Sequence, residues 1–91
     1  MLTIENEDML KLKIVSPERV EFEGDIVSVL VPGTLGSFQI LSDHAPIISS
    51  LEEGTVVYEL PAGEKHSLPI TGGFVEVQKN VVSMCVELSG E

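Results

Sequence analysis

The stretch GSFQILSDHAPIISSLEEG, from Gly36 to Gly54, holds the residue types from which a small catalytic site is assembled. His44 follows Asp43, Ser37, Ser42, Ser49 and Ser50 supply hydroxyls, and Glu52-Glu53 supplies a carboxylate pair. A Ser-His-Asp relay needs the carboxylate on the far side of the imidazole from the serine. Adjacent residues on an extended chain point to opposite faces, so Asp43 is badly placed to orient the His44 ring. None of the four serines lies in a strand-turn-helix elbow of the G-x-S-x-G type. Imidazole comes only from His44 and His66, far apart and with no H-x-H, H-x-x-E-H or C-x-x-C spacing, so no metal is expected. Glu52-Glu53 and the pair Glu21 and Glu23 read as solvated faces, because acid-base work also requires a pocket and shifted pKa values.

Phosphate chemistry fares no better. Pro32-Gly33-Thr34-Leu35-Gly36 lacks both a Walker lysine and a following helix, and Gly72-Gly73 precedes a strand, Phe74 to Gln78, instead of a helix N-terminus. No cofactor is expected. These glycines read as structural, permitting positive φ at strand turns or close approach of another backbone. The single cysteine, Cys85, cannot form an internal disulfide and sits in the apolar run VVSMCVEL, where it reads as a buried small hydrophobe.

Composition bounds the classes that remain. At 91 residues the chain makes one domain, burying roughly 60 to 65% of its unfolded surface. No run approaches the roughly 18 to 20 apolar residues that span a bilayer, so no direct membrane insertion is expected. The start, MLTIENEDML, carries acids where a signal peptide carries Lys or Arg, and the chain reads as cytosolic and soluble. Fifteen acids against five bases give a formal charge of -10. That balance argues against nucleic-acid binding, which rests on cations neutralising phosphates, and against attraction to an anionic lipid surface. A protein partner should be basic or apolar where it touches.

The elements that hold these residues are strands. Leu10, Leu12 and Ile14 alternate with Lys11 and Lys13, Val20 and Phe22 with Glu21 and Glu23, and Val56, Tyr58 and Leu60 with Val57 and Glu59. The denser runs Ile26 to Val31 and Val81 to Val86 suit strands covered on both faces or lying near a sandwich centre. Ser16-Pro17, Gly24-Asp25, Pro32-Gly33, Gly54, Pro61-Ala62-Gly63, Gly72-Gly73 and Lys79-Asn80 punctuate them at intervals of about 8 to 10 residues. The expectation is an all-β fold, a flattened sandwich of roughly eight to ten short antiparallel strands over residues 9–91, preceded by a flexible acidic arm over 1–8. One segment is ambiguous. Ser42 with Pro46, Ile47, Ile48 and Leu51 fits a short capped helix ended by Gly54, and Ala45 to Ser50 fits an irregular strand. Pro46 pushes the residue before it out of the helical region, and the strand is the favoured reading.

In order and spacing, the residues resemble the N-terminal β-sandwich domain of the F-type ATP synthase epsilon subunit, the counterpart of the mitochondrial delta subunit. The resemblance runs through Leu12-Lys13-Ile14-Val15-Ser16-Pro17, Val20 to Gly24, Val27 to Val31 and the glycine loop at Gly33 to Phe38. It continues through Ile40-Leu41, His44-Ala45-Pro46-Ile47, the Gly54 turn, Gly72-Gly73-Phe74-Val75-Glu76-Val77 and Val81 to Val86, covering about residues 9 to 88. Where the family usually has an acidic residue before the Phe or Leu of the loop, this chain has Ser37, and Gln39-Ile40-Leu41-Ser42-Asp43 replaces a Gly-Ile/Val-Leu-Pro-Gly-like run.

The resemblance implies a non-catalytic rotor subunit of the central stalk, binding the gamma subunit and resting on the c-ring, so that proton translocation is coupled to ATP synthesis. It implies a peripheral place on the cytoplasmic face of the bacterial inner membrane. It also implies a ring-facing loop at Gly36, Ser37 and Phe38, a gamma-facing segment at His44, Ala45 and Pro46, and a structural turn at Gly72 and Gly73. Family members often append a two-helix domain that inhibits ATP hydrolysis. These 91 residues stop after the last strand, so they are expected to couple without braking. The alternative is a free-standing β-sandwich that recognises a peptide or polysaccharide.

Overall fold

A computed structural model describes residues 9–90; the acidic arm expected over 1–8 lies outside the described residues. Eight strands account for the fold: β1 (Leu10–Val15), β2 (Val20–Ile26), β3 (Ser28–Gly33), β4 (Gly36–Ile40), β5 (Ile47–Leu51), β6 (Gly54–Glu59), β7 (Lys65–Gln78) and β8 (Val81–Leu88). The described residues contain no helix. The strands pair in the order β2-β1-β8-β7-β5-β3-β4, with β6 joining β3 to β7.

The long strand β7 organises the whole. Its first part, Lys65 to Ile70, pairs with β6, while Gly73 to Val77 pairs with β5. Because β6 also pairs with β3, and Leu51 of β5 reaches Gly33 of β3, strands β3, β5, β7 and β6 close a ring of pairings around the core. Outside that ring, β4 flanks β3, and β8, β1 and β2 extend from β7. All pairings are antiparallel except β1 with β8, which run parallel with Leu12 opposite Val82.

Period two does what it predicts. Leu10, Leu12 and Ile14 of β1, Val75 and Val77 of β7 and Val82, Met84 and Val86 of β8 enter one buried cluster with Val29, Val31, Ile40 and Val56. Burying each such side chain is worth about 1.5 to 3 kcal/mol, which is what holds strands of five to fourteen residues together. The free edges are β2 and β4. The first carries Glu21, Glu23 and Asp25, with a register shift between Ile14 and Val15 of its partner, and the second is only five residues long. Charge, irregularity and shortness all discourage edge-to-edge association.

Three expectations are corrected. The run Val81 to Val86 is covered on one face only, with Val81, Ser83 and Cys85 exposed, whereas in Ile26 to Val31 the neighbours Ser28 and Val29 are both buried and only Val27 and Leu30 are exposed. Cys85 is therefore not a buried hydrophobe, because Met84 and Val86 take the inward positions and it falls between them. Gly72 and Gly73 form no chain reversal. They lie inside β7, where the pairing to β8 slips one residue between Ile70 and Gly72. Gly73 has φ +154°, and a Cβ there would lie 2.9 Å from the Val86 Cα and press on the Cys85 carbonyl. The glycine admits a neighbouring strand, not a turn. In the ambiguous segment the strand prevails, as β5, beginning at Ile47 after a turn.

Candidate docking corner

The hairpin β3–β4 and the turn that follows it carry most of the residues singled out in the sequence. Thr34 and Leu35 form the hairpin tip, and Gly36 leaves it with φ +127°, a conformation side chains rarely adopt. Ser37 stands exposed opposite Pro32. Phe38 turns the other way. It is half-buried against the core, and its ring lies over Gly33, where an added Cβ would come within 2.8 Å of Cε1. The most exposed apolar side chain of the hairpin is Leu35, which stands entirely in solvent. Leu35 was not singled out from the sequence; its signal was an apolar residue at the centre of a Pro-Gly-Thr-Leu-Gly turn.

After β4 the chain turns through residues 41–46 and enters β5, which like β4 runs antiparallel to β3. Asp43 takes φ 65°, a left-handed conformation that a short polar side chain tolerates. Its backbone N–H donates to Asn80 Oδ1 at 2.6 Å, and the His44 N–H donates to the Leu41 carbonyl at 3.2 Å. His44 Nδ1 lies 2.8 Å from the Ala45 carbonyl, and since that oxygen only accepts, Nδ1 carries the proton and Nε2 is left for an outside partner. The Phe38 and His44 rings are 6.4 Å apart, tilted by 35°. Ala45 and Pro46 are exposed. The structure thus brings Phe38 of one predicted set beside His44 of the other, while Gly36 and Ser37, at the hairpin tip that reaches Ser50, lie toward the opposite end of β5 from Pro46. Gly72 and Gly73 belong elsewhere, packed on β8.

No catalytic constellation forms there. The Asp43 carboxylate faces the Asn80 amide at 3.5 Å, and the His44 ring is held by a neighbouring carbonyl. Among the described residues no three His, Cys, Asp or Glu side chains converge as metal ligands. His66 stacks on Tyr58, with ring centroids 5.5 Å apart and Glu64 Oε2 3.1 Å from Nε2. Tyr58 in turn meets Phe22 at 4.5 Å, tying β2 to β6. Burial, and secondarily the Glu21 carboxylate, raises the Tyr58 pKa above its ordinary 10.0, so the phenol stays neutral and structural.

A second surface lies on the outer face of β7, β8, β1 and β2. Phe74, Cys85, Val15 and Val20 are opposite one another in successive strands and make an exposed or half-exposed apolar row. An open groove of about 500 Å³ runs along it, bordered by Pro17 and Glu87.

The described residues form an all-strand β-sandwich with two exposed, partly apolar surfaces. The chain belongs to the family of ATP synthase delta/epsilon chain β-sandwich domains, whose model matches residues 9–88. It is 45% identical over 80 residues to an ATP synthase epsilon chain of a Nitratiruptor species, a match covering 88% of this chain and 62% of that one. To an ATP synthase epsilon chain of Chlorobium limicola it is 40% identical over 77 residues, covering 85% of this chain and 88% of the other. The chain thus spans about three-fifths of the first relative and most of the second. Its fold is shared with a chain in the cryo-EM structure of Euglena gracilis mitochondrial ATP synthase, OSCP/F1/c-ring in rotational state 1. That match has a TM-score of 0.83 at 20% identity, over 87% of this chain and 51% of the other. A chain of the Tetrahymena thermophila mitochondrial ATP synthase central stalk and c-ring matches with a TM-score of 0.71 at 15% identity, over 86% and 63% of the two chains.

Proposed function

We propose that this domain is a non-catalytic rotor component of an F-type ATP synthase, holding the gamma subunit to the c-ring so that proton flow is coupled to ATP synthesis. The observation that carries the reading is the family match over residues 9–88, which takes in every strand of the fold. Relatives named epsilon chains and structural neighbours from stalk and ring assemblies support it. Family membership disfavours a free-standing peptide or polysaccharide module.

In this reading the domain works by shape and adhesion. The β3–β4 hairpin, with Leu35 and Ser37 in solvent, faces the polar loops of the ring, and the corner at His44, Ala45 and Pro46 meets gamma. Phe38 supports the hairpin from the core side, and His44 Nε2 offers gamma a hydrogen-bond acceptor. The place of action is peripheral, on the cytoplasmic face of the bacterial inner membrane. Affinity capture of the chain from its own membranes tests this: gamma and c subunits should be recovered together, and recovery of neither would refute it.

A further inference from the structure

We propose that Asn80, in the turn between β7 and β8, is a positioning residue that sets the His44-Ala45-Pro46 corner from across the fold. The two segments are 37 residues apart in sequence and are joined side chain to backbone. Lys79 and Asn80 have φ 52° and 62° and connect Gln78 to Val81 as a two-residue hairpin, the mirror-image turn that suits twisted strands and favours Asn. That turn is fixed to the sheet, since the Asn80 carbonyl accepts from the Lys11 N–H at 2.9 Å. The Asn80 side chain then reaches to the turn after β4. Its Oδ1 accepts from the Asp43 N–H at 2.6 Å, and its Nδ2 lies 3.5 Å from Asp43 Oδ1.

Asp43 needs such an anchor. It is a non-glycine residue in the left-handed region, and its conformation sets the direction in which His44 leaves the turn. The hydrogen bond from the His44 N–H to the Leu41 carbonyl is internal to the turn and cannot fix it relative to the sheet. Asn80 supplies the external reference. In consequence the orientation of His44 beside Phe38, and the exposure of Ala45 and Pro46, depend on a residue outside the segment that meets the partner.

The functional half of this inference rests on the gamma-binding reading, and the experiment separates the two. Asn80→Gly keeps the positive φ and removes the side chain; Asn80→Asp keeps an oxygen acceptor. In the 91-residue chain, Asn80→Gly should speed amide exchange at Asp43 about tenfold or more and leave the core amide of Val75 unchanged. It should weaken binding to purified gamma about three- to tenfold, the scale of one hydrogen bond. Asn80→Asp should restore most of both. Unchanged exchange at Asp43 overturns the proposal, as does unchanged gamma binding in a series where His44→Ala weakens it. Should the wild-type chain not bind gamma, the function reading fails, and exchange at Asp43 and its rescue by Asp decide the positioning role alone.

Discussion

The rings of Phe38 and His44 lie 6.4 Å apart, one on the edge strand β4 and the other in the turn that follows it. Both are half-buried: Phe38 packs against the core over Gly33, and the His44 ring is held by the Ala45 carbonyl. The strand of the hairpin proposed to face the ring thus passes beside the corner proposed to meet gamma.

Removing either ring should separate stability from docking. Phe38→Ala takes away a half-buried aromatic and should cost about 2 kcal/mol, below the roughly 3 to 5 of a fully buried Phe. His44→Ala should change stability by no more than about 0.5 kcal/mol while weakening gamma binding. Urea midpoints of the two variants check the first part. Equal losses would mean that Phe38 does not anchor the corner.

The two glycines in β7 should behave differently. Gly73→Ala places a Cβ against the Cys85 carbonyl at φ +154°, and should cost about 3 kcal/mol or more, or prevent folding. At Gly72 the nearest atom to a Cβ is the Leu51 carbonyl at 3.6 Å, an ordinary contact, so Gly72→Ala should cost less than about 1 kcal/mol. Thermal unfolding of both variants decides whether close approach is the reason for this pair.

Those glycines show where local reading stops. Alternation along β1 and β6 is visible in the sequence because hydrophobicity there follows the pleat, whereas in β8 apolar residues at exposed positions hide it. Gly72-Gly73 carries the same local signal as a turn, and only the strand that passes it reveals its purpose. The parallel pairing of β1 with β8 joins the two ends of the chain, and no nearby residue encodes it. Cys85 was misread because its neighbours are apolar; Phe74 and Val15, its partners across the sheet, are apolar too, so the outer face resembles a core in sequence. At the docking corner the sequence pointed to Phe38 and His44, while Leu35 and Asn80 emerged only from exposure and from a contact 37 residues long.

Cys85 gives a direct check of that outer face. Being exposed, it should react fully with a thiol reagent in the folded chain without denaturant, and Cys85→Ser should change stability by no more than about 0.5 kcal/mol. If gamma covers the Phe74 row, adding it should protect the thiol; protection absent in a formed complex assigns gamma to the His44 corner alone.

The pH dependence of Tyr58 follows from its surroundings. An unfolded tyrosine titrates near 10.0, and the folded one above it, so the folded state favours the protonated phenol. Its contribution is complete below about pH 10 and is lost as pH rises through the folded pKa. Glu21→Gln should lower the phenol pKa without returning it to the ordinary value, because burial is the larger cause. An absorbance titration that found Tyr58 at or below the ordinary value would contradict the packing of Phe22, Tyr58 and His66.

The most direct measurement of the central claim is reconstitution. Membranes stripped of their own epsilon subunit should bind the 91-residue chain, retain gamma on the c-ring and regain ATP synthesis driven by a proton gradient. His44→Ala should shift that recovery to higher chain concentration. Binding that leaves coupling unrestored, or recovery of neither gamma nor ring with the chain, would contradict a rotor role.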